Sequence, residues 1–265
     1  MEDDRSVRRT TFDEDALLYD RARPTYPEDL FDAIDRRLPA DRPRTLEIGC
    51  GTGQATVSLA QRGHRVLAVE LGAALAEVAR RNLARFPQVE VVTADVERWE
   101  LEEADFDLVV CATAFHWLDP ATRFARVARL LRHGGLLALV QTIHVAGSSA
   151  AFFTEVQQCY ARWDPATPPD LRIPALGDLP PASAYGLEDA EEFDAAETRR
   201  FGVDLSYDAA RYLDLLATFS NHRSLPTAQR EGLFACLRRR IAREPGGTVV
   251  RSVAFELSTA FRRPG

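Results

Sequence analysis

A short apolar run at 45–48 empties into three glycines, Gly49, Gly51 and Gly53, and a helical pattern then runs over 54–62 and stops at Gly63. Few local sequences restrict a chain more. Glycine tolerates left-handed backbone and lets another group approach closely, and the helix start behind it exposes unpaired amides. The same punctuation recurs downstream. Strands are expected at 64–70, 89–94, 106–112 and 136–142, and helices at 73–86 and 120–131. The strands are continuous Val, Leu and Ile runs, the pattern of parallel strands covered on both faces. The fold class is therefore α/β, a Rossmann-like doubly wound sheet.

Outside that core the chain reads differently. Residues 1–12 are polar and charged and are expected to be disordered, leaving 13–265 as one domain. Helical spacing on either side of Pro24 and Pro27 predicts two helices before the first strand. After about residue 145 the alternation stops. A helix is expected at 152–163, followed by the proline-rich DPATPPDLRIPALGDLPP, so 145–196 reads as a lid insertion on the acceptor side of a core spanning about 28–143. The segment 197–261 returns to pattern, with a strand at 201–205, helices at 209–219 and 227–243, and a long last strand at 248–261.

Composition narrows the chemistry. All 33 basic residues are arginine, and without lysine there is no Schiff base, no pyridoxal-phosphate enzyme and no phosphate loop ending in Gly-Lys-Ser/Thr. The four cysteines, Cys50, Cys111, Cys159 and Cys236, are too far apart in sequence for a metal or redox pair. They are expected to be reduced and mostly buried in a cytoplasmic protein, and no metal is expected. No apolar run reaches the roughly 18 residues that span a bilayer, and the charged first 25 residues argue against export. A net charge of -7 disfavours nucleic acid, and Arg238, Arg239, Arg240 and Arg243 read as a solvated helix face. The acidic run at 186–197 reads as a solvated segment, and Phe152, Phe153, Tyr160 and Trp163 as packing of the lid helix.

Three acidic residues follow the strand ends. Glu47 lies two residues before the first glycine, where it suggests a ligand presenting a positive amino group. Glu70 closes the second strand, placed to accept from a ribose diol. Asp95 follows the third, placed to accept from an adenine amino group. Gln54 stands where a dinucleotide fingerprint wants its third glycine, which speaks against a nicotinamide-dependent oxidoreductase.

Through LEIGCGTGQAT, VLAVEL, TADVERW and FDLVVCATAFHWLDP, the sequence resembles the class I S-adenosylmethionine-dependent methyltransferases, most closely their small-molecule branch known as type 11. YDRARPTYP in front and LLATFSNHRSLP and GGTVVRSVAFEL behind are similar too. The resemblance implies strand order 3-2-1-4-5-7-6 with the seventh strand antiparallel. It implies that Gly49, Cys50, Gly51 and Gly53 line S-adenosyl-L-methionine, that Glu70 and Leu71 hold the ribose and Asp95 and Val96 the adenine, and that Tyr19 and Arg23 fold over the methionine carboxylate.

Methyl transfer is an in-line displacement, catalysed chiefly by positioning, and a base is needed only for an acceptor still protonated at neutral pH. His116, just after the fourth strand, is the first candidate base and His222, read as loop-borne, the second. Trp117 is placed to face the sulfonium through cation-π attraction. The partner is expected to be a small-molecule acceptor. A protein of the same fold that binds the cofactor for another reaction, or as a sensor, is the alternative, since fold does not fix function.

Overall fold

The computed structural model describes residues 13, 15–39, 41–99, 105–168, 172–182 and 184–264. The tail expected to be disordered, 1–12, lies outside them. Two short helices, α1 (Ala16–Ala22) and α2 (Glu28–Asp35), precede the first strand. Asp15 caps α1 by accepting the Leu18 amide, and Pro27 fixes the start of α2. Then come β1 (Arg44–Ile48), α3 (Gln54–Gln61), β2 (Arg65–Glu70), α4 (Ala73–Leu83), β3 (Val89–Thr93), β4 (Phe106–Ala112), α5 (Arg123–Leu130) and β5 (Leu131–Val145). The remainder is α6 (Ala150–Glu155), α7 (Gln157–Trp163), β6 (Glu197–Asp208), α8 (Ala209–Ala217), α9 (Ser220–Arg223), α10 (Thr227–Ile241) and β7 (Thr248–Phe261).

The seven strands form one sheet in the order β3-β2-β1-β4-β5-β7-β6. The first five pair in parallel, and β7 runs antiparallel to both β5 and β6. Period-two geometry splits the apolar strands between two cores. Leu46, Val109, Leu137 and Leu139 pack with α5, while Leu108, Val110, Leu136 and Ala138 pack with α2, α3 and α4. A third cluster joins α6, α7, α8 and α10 beside the antiparallel β6–β7 pair, and it takes in Phe152, Phe153, Tyr160 and Trp163 as packing.

Several expectations need correction. Cys159 and Cys236 form a disulfide, although the sequence reading had all four cysteines reduced. They stand 77 residues apart, and packing of α10 on α7 brings them together. Cys50 and Cys111 are free and buried. The helix expected over 152–163 is two, broken at Val156. Strand β6 is twice as long as expected, because an edge strand with alternating exposed residues hides its apolar signal. The acidic run is not wholly solvated: Leu187 and Phe193 are sunk in the core. Arg240 bonds Glu155 and Gln158, tying α10 to the neighbouring helices.

Candidate active site

The carboxyl ends of β1, β2 and β4 open on a cavity of about 350 Å³, where an α/β sheet of this topology binds its ligands. One end is walled by Gly49, Gln54, Glu70, Leu71, Val96 and Trp117, and the other by the paired strands β6 and β7 and the α8–α9 corner. Helix α1 and the segment after it cover both through Tyr19, Arg23 and Tyr26.

The glycine turn is built as expected. Gly49, Gly51 and Gly53 take φ values of +71°, +59° and +96°, backbone that other residues rarely adopt. A Cβ on Gly49 would lie 2.6 Å from that of Ala114, and one on Gly51 3.3 Å from the Tyr19 ring. The turn is therefore packed closely under Ala114 and the Tyr19 ring, with no room for side chains of its own at these positions. Its position is fixed by the Val69 carbonyl, which accepts the amides of Gly49 and Cys50. Cys50, Gly51 and Gly53 form the turn without lining the cavity, and burial pushes the Cys50 thiol well above its usual range.

Glu70 faces the cavity and is 8% exposed. Its two oxygens accept the Gly51 amide at 2.9 Å and the Gly72 amide at 2.8 Å. The Leu71 amide also acts on this carboxylate, and of its four acceptor sites not all are taken by these three amides. Burial raises its pKa, against the pull of those amides.

Glu47 does not face the cavity. It is 1% exposed beneath the turn, with the Thr56 hydroxyl donating to it at 2.7 Å. This corrects the reading of Glu47 as a partner for a ligand's amino group: the carboxylate points into the sheet side, where it supports the turn. Burial pushes its carboxyl up to about 8 from an ordinary 4.5. The folded protein thus keeps a proton that the unfolded chain releases. Stability is full below the unfolded value and falls as pH rises toward 8, by up to a few kcal/mol at about 1.4 kcal/mol per unit. Urea midpoints at pH 6 and pH 8 are expected to differ for the native chain and to converge in Glu47→Gln, with a residue of the slope left to Glu70.

Asp95 also differs from expectation. Its neighbours Ala94 and Val96 line the cavity, but its own carboxylate folds back, accepting the Glu97 amide at 3.1 Å and lying 4.0 Å from Arg98. Leu71 and Trp117 are in the wall.

His116 sits on the single turn Phe115–Trp117 after β4 and contributes to the cavity rim. Its ring lies 4.6 Å from that of Trp117 and 6.3 Å from that of Tyr185, nearly parallel to the latter. Partial burial and the Arg123 and Arg23 cations hold its pKa below the ordinary value, so the imidazole is neutral at pH 7 and able to accept a proton.

His222 is corrected on two counts. It stands on α9 rather than a loop, and it faces a smaller chamber of about 250 Å³ behind the main cavity. The Tyr160 hydroxyl donates to its Nε2 at 3.1 Å and its Nδ1 donates to Asn221 Oδ1 at 3.1 Å. Both nitrogens are engaged, and burial lowers its pKa to about 4. Its part is to hold Asn221, which does line the main cavity.

The insertion at 145–196 is likewise displaced from its expected place. No described residue of it lines the main cavity; it walls the smaller chamber through Phe153, Gln157 and Tyr160.

Sequence reasoning missed Tyr26, Thr113, Thr142 and Arg251. The hydroxyls of Tyr26, Thr113 and Thr142 form a chain at 3.3 and 3.2 Å along the cavity wall. Thr113 carries a φ of +58°, an outlier for a β-branched residue and a mark of strain stored beside a site. A threonine directly after β4 was the available signal.

Residues 46–139 match a family model described as "Methyltransferase domain". Over those residues the chain is similar to a methyltransferase domain. An uncharacterized methyltransferase of Mycobacterium tuberculosis is 42% identical over 122 residues, which is 46% of this chain and 48% of that protein. The chain thus spans about half the length of that relative. An uncharacterized methyltransferase of Schizosaccharomyces pombe is 25% identical over 94% of each chain. The solved structure of a candidate type II methyltransferase from Anaeromyxobacter dehalogenans covers 91% of this chain and 97% of its own, at 24% identity and a TM-score of 0.59. The methyltransferase fold therefore extends well beyond the matched segment. No helix among the described residues is long and apolar enough to cross a membrane.

Proposed function

We propose that the cavity binds S-adenosyl-L-methionine and that the protein transfers its methyl group to a small organic acceptor. The observation that carries this reading is the left-handed glycine turn at the strand ends, tied by its Gly51 amide to Glu70, whose carboxylate faces the cavity. A ribose diol has the two donors such a group needs. When bound, the sulfonium supplies an electrophilic methyl group and leaves as a neutral thioether.

The chain's own residues do the rest by positioning and exclusion of water. Gly49 lets the turn pack closely under Ala114, Leu71 and Val96 give the nucleoside end apolar walls, and Tyr19 and Arg23 cover its amino-acid end. Arg23 is held for this by donating to the Thr218 carbonyl at 2.9 Å and by stacking on Tyr19 and Phe219. Gln54 opens α3 with a side chain that donates to Thr52 at 2.6 Å, in the place a dinucleotide site keeps for glycine. That supports an adenosyl amino acid over a dinucleotide.

His116 is the residue placed to take an acceptor's proton. His116→Ala is expected to lower turnover by about a hundredfold or more, the usual span of a general base, while affinity for S-adenosylhomocysteine stays within twofold. Turnover retained in that variant removes His116 as a base and points to an acceptor already ionised. The reading as a whole is tested by incubating the protein with methyl-labelled S-adenosylmethionine and an extract of small metabolites. Label appearing in an acceptor by mass spectrometry is the expected result. Binding without any labelled product would leave a protein that uses or senses the nucleoside without methylating.

A further inference from the structure

Glu70, at the nucleoside end, is the one acidic residue among those lining the main cavity. The far end holds arginine instead. Arg251 enters from β7, in phase with Val253 and Phe255, and its side chain stands between the main cavity and the smaller chamber, lining both. It forms no ion pair with any described carboxylate. Its guanidinium lies 5.3 Å from the centre of the Phe219 ring and near the Tyr212 side chain, which senses its charge. Arg23 lies 4.5 Å from the same ring, and each cation opposes the other. The nearest groups otherwise are neutral: Tyr160, Tyr207, His144 and His222 all sense the Arg251 charge, and Asp164, near Tyr160 and His222, accepts the Thr167 hydroxyl.

A half-buried guanidinium that lines a cavity, with a like charge beside it and no carboxylate partner among the described residues, is well placed to receive an anionic group from a ligand. Its planar fork matches the two oxygens of a carboxylate. Asn221, fixed by His222, and Ser220 stand in the same wall with neutral donors.

We propose that Arg251 is the specificity residue of the acceptor site and binds a carboxylate group carried by the acceptor. The inference deepens the methyl-transfer reading and rests on it for the word acceptor. Arg251 then orients the acceptor from the β7 side while Arg23 stays with the amino-acid end of the nucleoside. An uncharged analogue loses the charge-assisted fork, so it binds more weakly.

The test is calorimetric titration of the full chain with acetate, succinate and benzoate, with the matching amides as neutral controls and inorganic phosphate as a second anion. Each is run with and without saturating S-adenosylhomocysteine, so the anion site is read whatever the nucleoside does. At least one carboxylate is expected to bind, its amide to bind about ten- to a hundredfold more weakly, and Arg251→Gln to lose the carboxylate by a similar factor. Arg251→Lys, which keeps the charge and not the fork, is expected to fall between. Both variants should bind S-adenosylhomocysteine within twofold of the native chain, which also shows that they fold. Equal binding of acid and amide, binding unaffected in Arg251→Gln, or binding of phosphate alone would overturn the proposal. Loss of S-adenosylhomocysteine binding in the native chain with an Arg251-dependent carboxylate response intact would instead sink the methyl-transfer reading and leave the anion site standing.

Discussion

Gly49→Ala is expected to weaken binding of S-adenosylhomocysteine by at least about tenfold and to lower the melting temperature by about 5–10 °C. Two costs add. A left-handed φ of +71° is unfavourable for any residue with a Cβ, by about 1–2 kcal/mol. The new methyl also meets the Ala114 Cβ at 2.6 Å, and neither atom sits on a flexible side chain, so the turn and the 113–117 segment must separate. Overpacking of that kind costs roughly 1–3 kcal/mol. Both displaced segments line the cavity, which is why the damage reaches the ligand. Gly63→Ala separates the causes: its φ is +88°, but nothing lies within 4 Å of the added Cβ and Gly63 is not in the cavity wall. It should lose stability with binding unchanged. Equal binding losses in the two variants would mean that backbone strain alone is being read.

Glu70→Ala is expected to cost more, about a hundredfold or more in affinity for S-adenosylhomocysteine. Hydrogen bonds to a charged group are worth about 1.5–3 kcal/mol each, and this carboxylate is placed to receive two from a diol. The substitution also strips the Gly51 and Gly72 amides of their acceptor, so the turn itself loosens. Glu70→Gln tells the effects apart. It retains one acceptor oxygen, and its amide group turns a donor toward one of those two backbone donors. Binding should fall between that of the native chain and Glu70→Ala. Deoxyribose analogues should lose much less affinity than S-adenosylhomocysteine in Glu70→Ala, the remaining loss being that of the loosened turn.

The glycine turn and the Glu70 strand end were legible in the sequence because their geometry is local. Gly49, Gly51, Gly53 and Glu70 are placed by single strand-to-helix or strand-end connections, and a parallel sheet brings those ends together whatever the loops do. Strand order was legible for a different reason, through resemblance, and β7 lies antiparallel between β5 and β6 as that implied. What failed was long-range. Glu47 was given a ligand because strand phase was not followed to its face of the sheet, where Thr56 meets it. Cys159 and Cys236 were kept apart because 77 residues separate them in sequence. The insertion at 145–196 was assigned to the acceptor side on its prolines, whereas the wall comes from β6, β7 and α9. Arg251 was passed over since one arginine in an alternating strand has no local signature; its meaning lies in the missing carboxylate around it.

The central claim is that the cavity at the strand ends is a site for an adenosyl sulfur amino acid. Calorimetric titration of the native chain with S-adenosylhomocysteine, beside NADH under the same conditions, tests it most directly. Micromolar binding of S-adenosylhomocysteine with one-to-one stoichiometry and no heat from NADH is the predicted result. Binding of NADH with no response to S-adenosylhomocysteine would contradict the account and return Glu70 to the ribose of a dinucleotide.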